Sequence, residues 1–167
     1  GRAEDGQTPL HVAAAHGHSD VIRALISAGA HLAVKGTFGE ALGLFPYEMA
    51  STEAAKSAFH IYLFEAIALS NVEMVQNLLK GGVPPTVSDG SSKMDSALHW
   101  AASSGEKEII KLLVSYGADL NYMNTLGQTP LHCACASTNS ESVYFLLEAG
   151  ADKNICDEEG RTPFHLV

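Results

Sequence analysis

The chain has 167 residues, 46% hydrophobic and 17% charged, with ten basic against nineteen acidic residues and a formal net charge of −9. This is the make-up of about one globular domain rather than a disordered segment, and without clustered Lys and Arg it excludes a nucleic acid as partner. No apolar run approaches the roughly 20 residues that cross a bilayer, and GRAEDGQTPLH has neither a basic nor a hydrophobic leader region, so no membrane insertion and no secretion are expected.

The first unit is TPLHVAAAHGHSDVIRALISAGA, Thr8 to Ala30. Thr8 is a helix N-cap whose hydroxyl can accept from an early backbone N–H, and Pro9 takes the first helical position, where its missing donor costs nothing. In the next segment, FPYEMA, Tyr47 falls at the Leu10 position 37 residues on, but Leu63 follows only 16 residues later. That spacing predicts a first helix near Pro46 to Ala50, a second near Glu53 to Tyr62, and then another first helix with no loop between. No Gly or Pro stands between Pro46 and Gly81, so a bend, a widened spacing or a fused longer helix is expected. Phe45, Phe59 and Phe64 leave open a second reading of this break as a binding site.

Further units are YLFEAIALSNVEMVQNLLKGGV from Tyr62, SALHWAASSGEKEIIKLLVSYGADLN from Ser96 and TPLHCACASTNSESVYFLLEAGADKN from Thr129, and TPFHLV begins another at Thr162. Leu98, Leu131 and Phe164 are spaced 33 and 33 residues apart, with 35 between Leu63 and Leu98. Leu98, Ala101, Ala102 and Gly105 follow helical spacing and make a small-residue face that allows close packing. The second helix carries EIIKLLV, Glu108 to Val114, and ends at Gly117, a natural left-handed terminator. About ten residues then lead to the next cap, suited to a hairpin-like finger.

The TPLH tetrapeptide, intact twice and varied as SALH and TPFH, followed by LL…GAD with a period of 33, resembles the ankyrin repeat family. The resemblance covers roughly residues 3 to 36 and 60 to 167. It implies an all-α solenoid of stacked helix-turn-helix units with finger loops and an irregular second repeat. Residues 1–59 hold repeat 1 and a degenerate repeat 2, and residues 60–167 hold repeats 3 to 5 with a truncated repeat 6. The family also implies protein binding on a concave face of fingers and first helices. No such repeat can bury its apolar face alone, so the core is continuous across neighbours.

Four histidines, His11, His99, His132 and His165, share one position, but a repeat thickness of roughly 10 Å separates neighbours. Zinc ligands must lie about 2.0 to 2.3 Å from one ion, so these imidazoles are expected to bond local backbone at the caps. Cys133 and Cys135 point about 200° apart on a helix and cannot share an ion or a substrate. Cys135 matches Ala14 in the core and Cys133 matches Val12 opposite. Three cysteines without a small secreted scaffold indicate reduced thiols in the cytoplasm, with the nucleus as alternative. No phosphate-cradling loop, carboxylate pair or nucleophile elbow is present. No cofactor and no metal are expected, and the reading is non-catalytic.

Trp100, the only tryptophan, falls at the position of Val12, Glu65, Cys133 and Leu166 and looks toward the concave side. It is either a binding anchor, a class worth roughly 2 kcal/mol or more on truncation, or it packs against neighbouring units. Around it, Lys93, Asp95, Ser103 and Ser104 belong to one finger and first helix, Leu126, Gln128 and Ser137 to the next. Glu158, Glu159 and Arg161 belong to the last finger. Met94 occupies the place of Gly6, Gly127 and Gly160 in a finger two residues longer, where an exposed thioether suits adaptable apolar contact. Asn121 and Asn154 resemble the asparagines hydroxylated in many ankyrin repeats. The expectation is a scaffold or adaptor module gripping a protein or peptide, one of basic character if the acidity does more than maintain solubility. The alternatives are a regulatory segment contacting its own catalytic domain and an architectural spacer.

Overall fold

Each first helix starts where a hydroxyl-bearing cap meets a histidine three residues on. Thr8 caps α1 (Pro9–Ala15) and Ser96 caps α5 (Ala97–Ser104), while Thr129 and Thr162 stand before α7 (Pro130–Ala136) and a final 3-10 turn, Pro163–Leu166. Behind α1, α5 and α7 the chain turns into a second helix, α2 (Ser19–Ser27), α6 (Lys107–Ser115) and α8 (Ser140–Glu148) respectively. Two further helices, α3 (Glu53–Ala68) and α4 (Val72–Lys80), complete the set of eight in a computed structural model that describes residues 6–37 and 41–167. Among the described residues there is no strand, only two isolated β-bridges, Gly36 with Leu42 and Ser88 with Ser96. Residues 1–5 and 38–40, part of the expected 1–59 array, lie outside that description.

The chain divides into two compact units, residues 1–63 with 76–83 and residues 64–75 with 84–167. In the first, α1 packs on α2 and on a short 3-10 turn, Tyr47–Met49. Leu10, Ala14, Ile22 and Phe59 are buried, each large apolar side chain contributing about 2 kcal/mol by leaving water. The Tyr62 hydroxyl donates to the Arg23 carbonyl at 2.9 Å and also bonds Ser27 Oγ. In the second unit α5 packs on α7, α6 on α8, and α7 on the final 3-10 turn. Leu98, Ala101 and Ala102 of the small-residue face read from the sequence are at most 1% exposed, and its fourth member, Gly105, is half-buried.

The irregular stretch departs from the expected pair of helices. The predicted first helix near Pro46 to Ala50 is only the Tyr47–Met49 turn. Thr52 Oγ1 already accepts the Ala55 N–H at 3.1 Å and starts α3, so no room remains for a full turn of α-helix and a loop. Near Tyr62 no Gly, Pro or capping side chain stands to end a helix, and α3 runs unbroken for 16 residues, the fused form of the three alternatives. Phe59 and Phe64 are buried, and Phe45 lies under the Lys35 ammonium at 5.0 Å. Of the three rings read as a binding site, Phe59 and Phe64 are thus closed to a partner.

Between paired helices the chain passes through a left-handed residue: Gly17 after α1 and Gly105 after α5, but Ser70 after α3 and Thr138 after α7, both at φ 53°. A β-branched residue there is strained. Thr138→Gly is expected to raise stability by about 1 kcal/mol, read as a higher urea midpoint at unchanged m-value; a lower midpoint would show that the threonine is held there by contacts worth more than the strain.

Candidate functional site

The fingers of the second unit are tied by a side chain at the base of each loop. Asn124 donates its N–H to the Gln128 carbonyl at 2.9 Å, while its Oδ1 accepts the N–H groups of Leu126 and Gln128, each at 3.0 Å. Asp157 repeats this 33 residues on: its N–H reaches the Arg161 carbonyl, and its Oδ1 accepts from Glu159 and Arg161 at 3.0 and 2.9 Å. These bonds, with the Arg161 guanidinium on Oδ2 at 2.9 Å, hold the Asp157 carboxyl below its usual range. In the longer finger the equivalent residue is Asp89, whose N–H donates to the Asp95 carbonyl at 2.8 Å. Its Oδ1 takes the Ser91 N–H at 2.9 Å and its Oδ2 takes the Trp100 indole N–H at 3.0 Å.

Neighbouring fingers are linked through backbone. The Thr125 N–H donates to the Lys93 carbonyl at 2.8 Å and its hydroxyl to the Ser92 carbonyl at 2.9 Å, while the Glu158 N–H donates to the Leu126 carbonyl at 3.0 Å. The side chains of Lys93, Leu126, Glu158 and Glu159 stay exposed, and Ser103, Ser104 and Ser137 are exposed on the first helices. Asp95, Gln128 and Arg161 are half-buried, Arg161 pairing with Asp157 and with Glu159 at 3.0 Å. Met94 has φ 54°, matching φ 71° at Gly127 and 75° at Gly160, and is 38% exposed. The equivalence with glycine read from the sequence is thus a real left-handed position.

Trp100 follows the packing reading. It is half-buried, packed on Phe64 at 5.2 Å between ring centroids, with its N–H spent on Asp89. Sequence reasoning missed Asp89, Asn124, Asp157 and Thr125. For Asn124 and Asp157 the signal was present, since both stand three residues before the finger glycine.

The histidines form a second set of ties. His99 Nε2–H donates to the Gln128 carbonyl at 2.8 Å, His132 to the Arg161 carbonyl at 3.0 Å and His11 to the Leu44 carbonyl at 2.9 Å. A carbonyl only accepts, so Nε2 carries the proton and Nδ1 faces the cap as an acceptor. Nδ1 of His99 takes the Ser96 hydroxyl at 2.8 Å, and that of His132 the Thr129 N–H at 3.0 Å. His165 is exposed and, among the described residues, bonds Thr162 at the cap without a finger carbonyl. Among the described residues no group of three or more His, Cys, Asp or Glu could hold a metal ion.

Burial lowers the His99 pKa below its ordinary 6.5, and burial likewise lowers that of His60, which bonds the Tyr47 hydroxyl at 2.9 Å. The unfolded chain therefore binds more protons than the folded one as pH falls below about 6.5. Stability is expected to drop through that window, by at most about 1.4 kcal/mol per pH unit for each such histidine, and to level off below the folded-state values. Urea titrations between about pH 7 and 5 check this, and His99→Gln should flatten the slope.

Cys133, Cys135 and Cys156 are free thiols. Burial, then the Asp95 charge, pushes Cys133 up to about 11, and burial raises Cys135, so both stay protonated at neutral pH. Asn121 and Asn154 are exposed: the Asn121 Oδ1 accepts the Asp152 N–H at 2.8 Å, and each asparagine N–H donates to an aspartate two residues earlier. No helix among the described residues is long and apolar enough to cross a membrane.

A sequence profile of ankyrin repeats in three copies matches residues 63–157, and a single ankyrin repeat matches residues 5–37. The chain belongs to the ankyrin repeat family, with its all-α fold. It is 33% identical over 131 residues to potassium channel AKT2/3 of Arabidopsis thaliana, a match covering 72% of this chain and 16% of the channel. It is 28% identical over 143 residues to neurogenic locus notch homolog protein 1 of Danio rerio, covering 75% of this chain and 6% of that protein. The chain thus spans a small fraction of these relatives' length. Ankyrin repeats are in general protein–protein interaction modules and in general non-catalytic.

Proposed function

We propose that this chain is a non-catalytic scaffold or adaptor module in which the fingers and first helices from Tyr62 onward grip a protein or peptide of basic character. The observation that carries this reading is the division of labour at the fingers. Asn124, Asp157 and the histidines lock the backbone, while Lys93, Met94, Leu126 and Glu158 present exposed side chains. Charge supports a basic partner: residues 64–75 and 84–167 hold thirteen acidic and five basic residues, so −8 of the total −9 falls in that unit. The array boundary at residues 59 and 60 belongs to this reading, as does an intracellular setting in which the three free thiols persist.

The test is a partner isolated with the full-length protein and then titrated against variants. Trp100→Ala and Leu126→Ala are expected to weaken binding by about tenfold or more each, and Lys93→Ala to change it less. If all three leave affinity unchanged in folded protein, this face is not the binding surface. Met94→Gly separates fold from recognition, because removing a strained side chain should stabilise the chain by about 1 kcal/mol while weakening the complex.

A second reading, in which the repeats regulate another domain of the same polypeptide or space its domains, draws on the small share of its relatives that this chain spans. Deleting the repeats from the full protein and finding its other activities and assembly unchanged would count against it. Asn121 and Asn154 are proposed as hydroxylation positions on their exposure and aspartate-bridged turns, and peptide mass spectrometry of protein from its native cell would detect the added oxygen.

A further inference from the structure

Resting on the binding-face reading above, we infer that the recess beside Trp100 seats an arginine side chain of the partner segment. The recess, about 380 Å³, is lined by Ile67 and Ala68 of α3, by His99, Trp100, Ser103 and Ser104 of α5, and by Asp95 of the long finger, the His99 Nε2–H being spent on the Gln128 carbonyl. Its aromatic wall is fixed before anything binds. Phe64 lies 5.2 Å behind the indole, and Asp89 holds the indole N–H at 3.0 Å, so the tryptophan has no hydrogen bond left to offer from that atom and presents its ring.

The wall faces a carboxylate that lacks a counter-ion. Asp95 Oδ1 accepts from Asn124 Nδ2 at 2.7 Å, and among the described residues no Lys, Arg or His approaches Asp95 within 4.0 Å. An aromatic face beside an unneutralised carboxylate complements a cation. A guanidinium suits it better than an ammonium: it is flat enough to stack, weakly hydrated, and has N–H groups in its plane that can reach Asp95 and the two serine hydroxyls together. The surrounding unit, at −8, draws a basic segment toward the recess.

The sole tryptophan gives a single indole N–H resonance, from the ring that walls this recess. The probe is a capped peptide of alternating arginine and glycine, compared at low salt with the same peptide carrying neutral citrulline. Arginine is expected to shift the Trp100 indole and Asp95 amide signals, and citrulline to bind about tenfold more weakly. Asp95→Asn, which still accepts from Asn124, should abolish the difference between the two peptides without altering the remaining spectrum. Equal binding of both peptides, an unmoved indole, or no shift anywhere overturns the inference. Shifts at Leu126 and Arg161 without Trp100 or Asp95 overturn it while leaving the binding-face reading intact, whereas shifts confined to α6 and α8 count against both. Self-association of the free chain that Asp95→Asn removes would put a second copy in the recess and likewise overturn it.

Discussion

His132→Ala is expected to lower the stability of the chain by about 3 kcal/mol, the sum of groups left unpaired and the space vacated. The imidazole is fully buried, and it occupies three polar partners at once. Its Nδ1 receives the Thr129 N–H at 3.0 Å and hydroxyl at 2.9 Å, and its Nε2–H closes on the Arg161 carbonyl at 3.0 Å. Alanine strands both the cap and a carbonyl of the next finger. Buried groups without partners cost roughly 1–3 kcal/mol each, partly recovered if water enters. For a chain of this length the melting temperature should fall by roughly 6–12 °C. His132→Gln, which keeps a donor at similar reach, is expected to recover part of the loss; a fall below about 1 kcal/mol for alanine would mean that the tie is dispensable. His165→Ala is the internal control, since that ring is exposed and lacks the finger contact.

Gly105→Ala is the second substitution with a large expected effect, a loss of about 2–3 kcal/mol. The residue sits at φ 80°, where any side chain crowds its own backbone at roughly 1–2 kcal/mol. An added Cβ would also fall 1.8 Å from Asn139 Nδ2. Asn139 cannot simply swing away, because its Oδ1 accepts the Ser142 N–H at 3.1 Å and caps α8. Displacing it forfeits a cap worth about 1 kcal/mol. Chemical denaturation gives the loss directly, and Gly105→Ala combined with Asn139→Ala should cost less than the sum of the two singles, because the second change removes the clash. Additive losses would show that the crowding is absorbed elsewhere.

Much of this fold was legible because its punctuation is chemical. A cap hydroxyl, proline and histidine at fixed offsets located α1 and α7, and Gly117 marked the end of α6. The Met94 position was legible by alignment with finger glycines, and its φ of 54° gives that alignment a physical meaning. The Pro46 to Ala50 helix was misjudged because a spacing argument cannot see that Thr52 already caps the next element. At the candidate site, the bond from Trp100 to Asp89 was hidden by the two extra residues of the long finger, which shift Asp89 out of register with Asn124 and Asp157. The finger-to-finger links through Thr125 and Glu158 run to backbone carbonyls, and contacts made by backbone leave no mark in side-chain identity.

The three thiols differ in a way that makes the chain easy to label at one place. Cys135 is 1% exposed, Cys133 is held protonated by its surroundings, and Cys156 alone is exposed. A maleimide dye added near neutral pH will therefore attach first at Cys156, without removing any native cysteine. That residue immediately precedes Asp157, the knot of the last finger. A dye there would report on the fingertip carrying Glu158 and Glu159 while Trp100 reports independently on the recess, so one unmodified sequence supplies two optical channels on the same face.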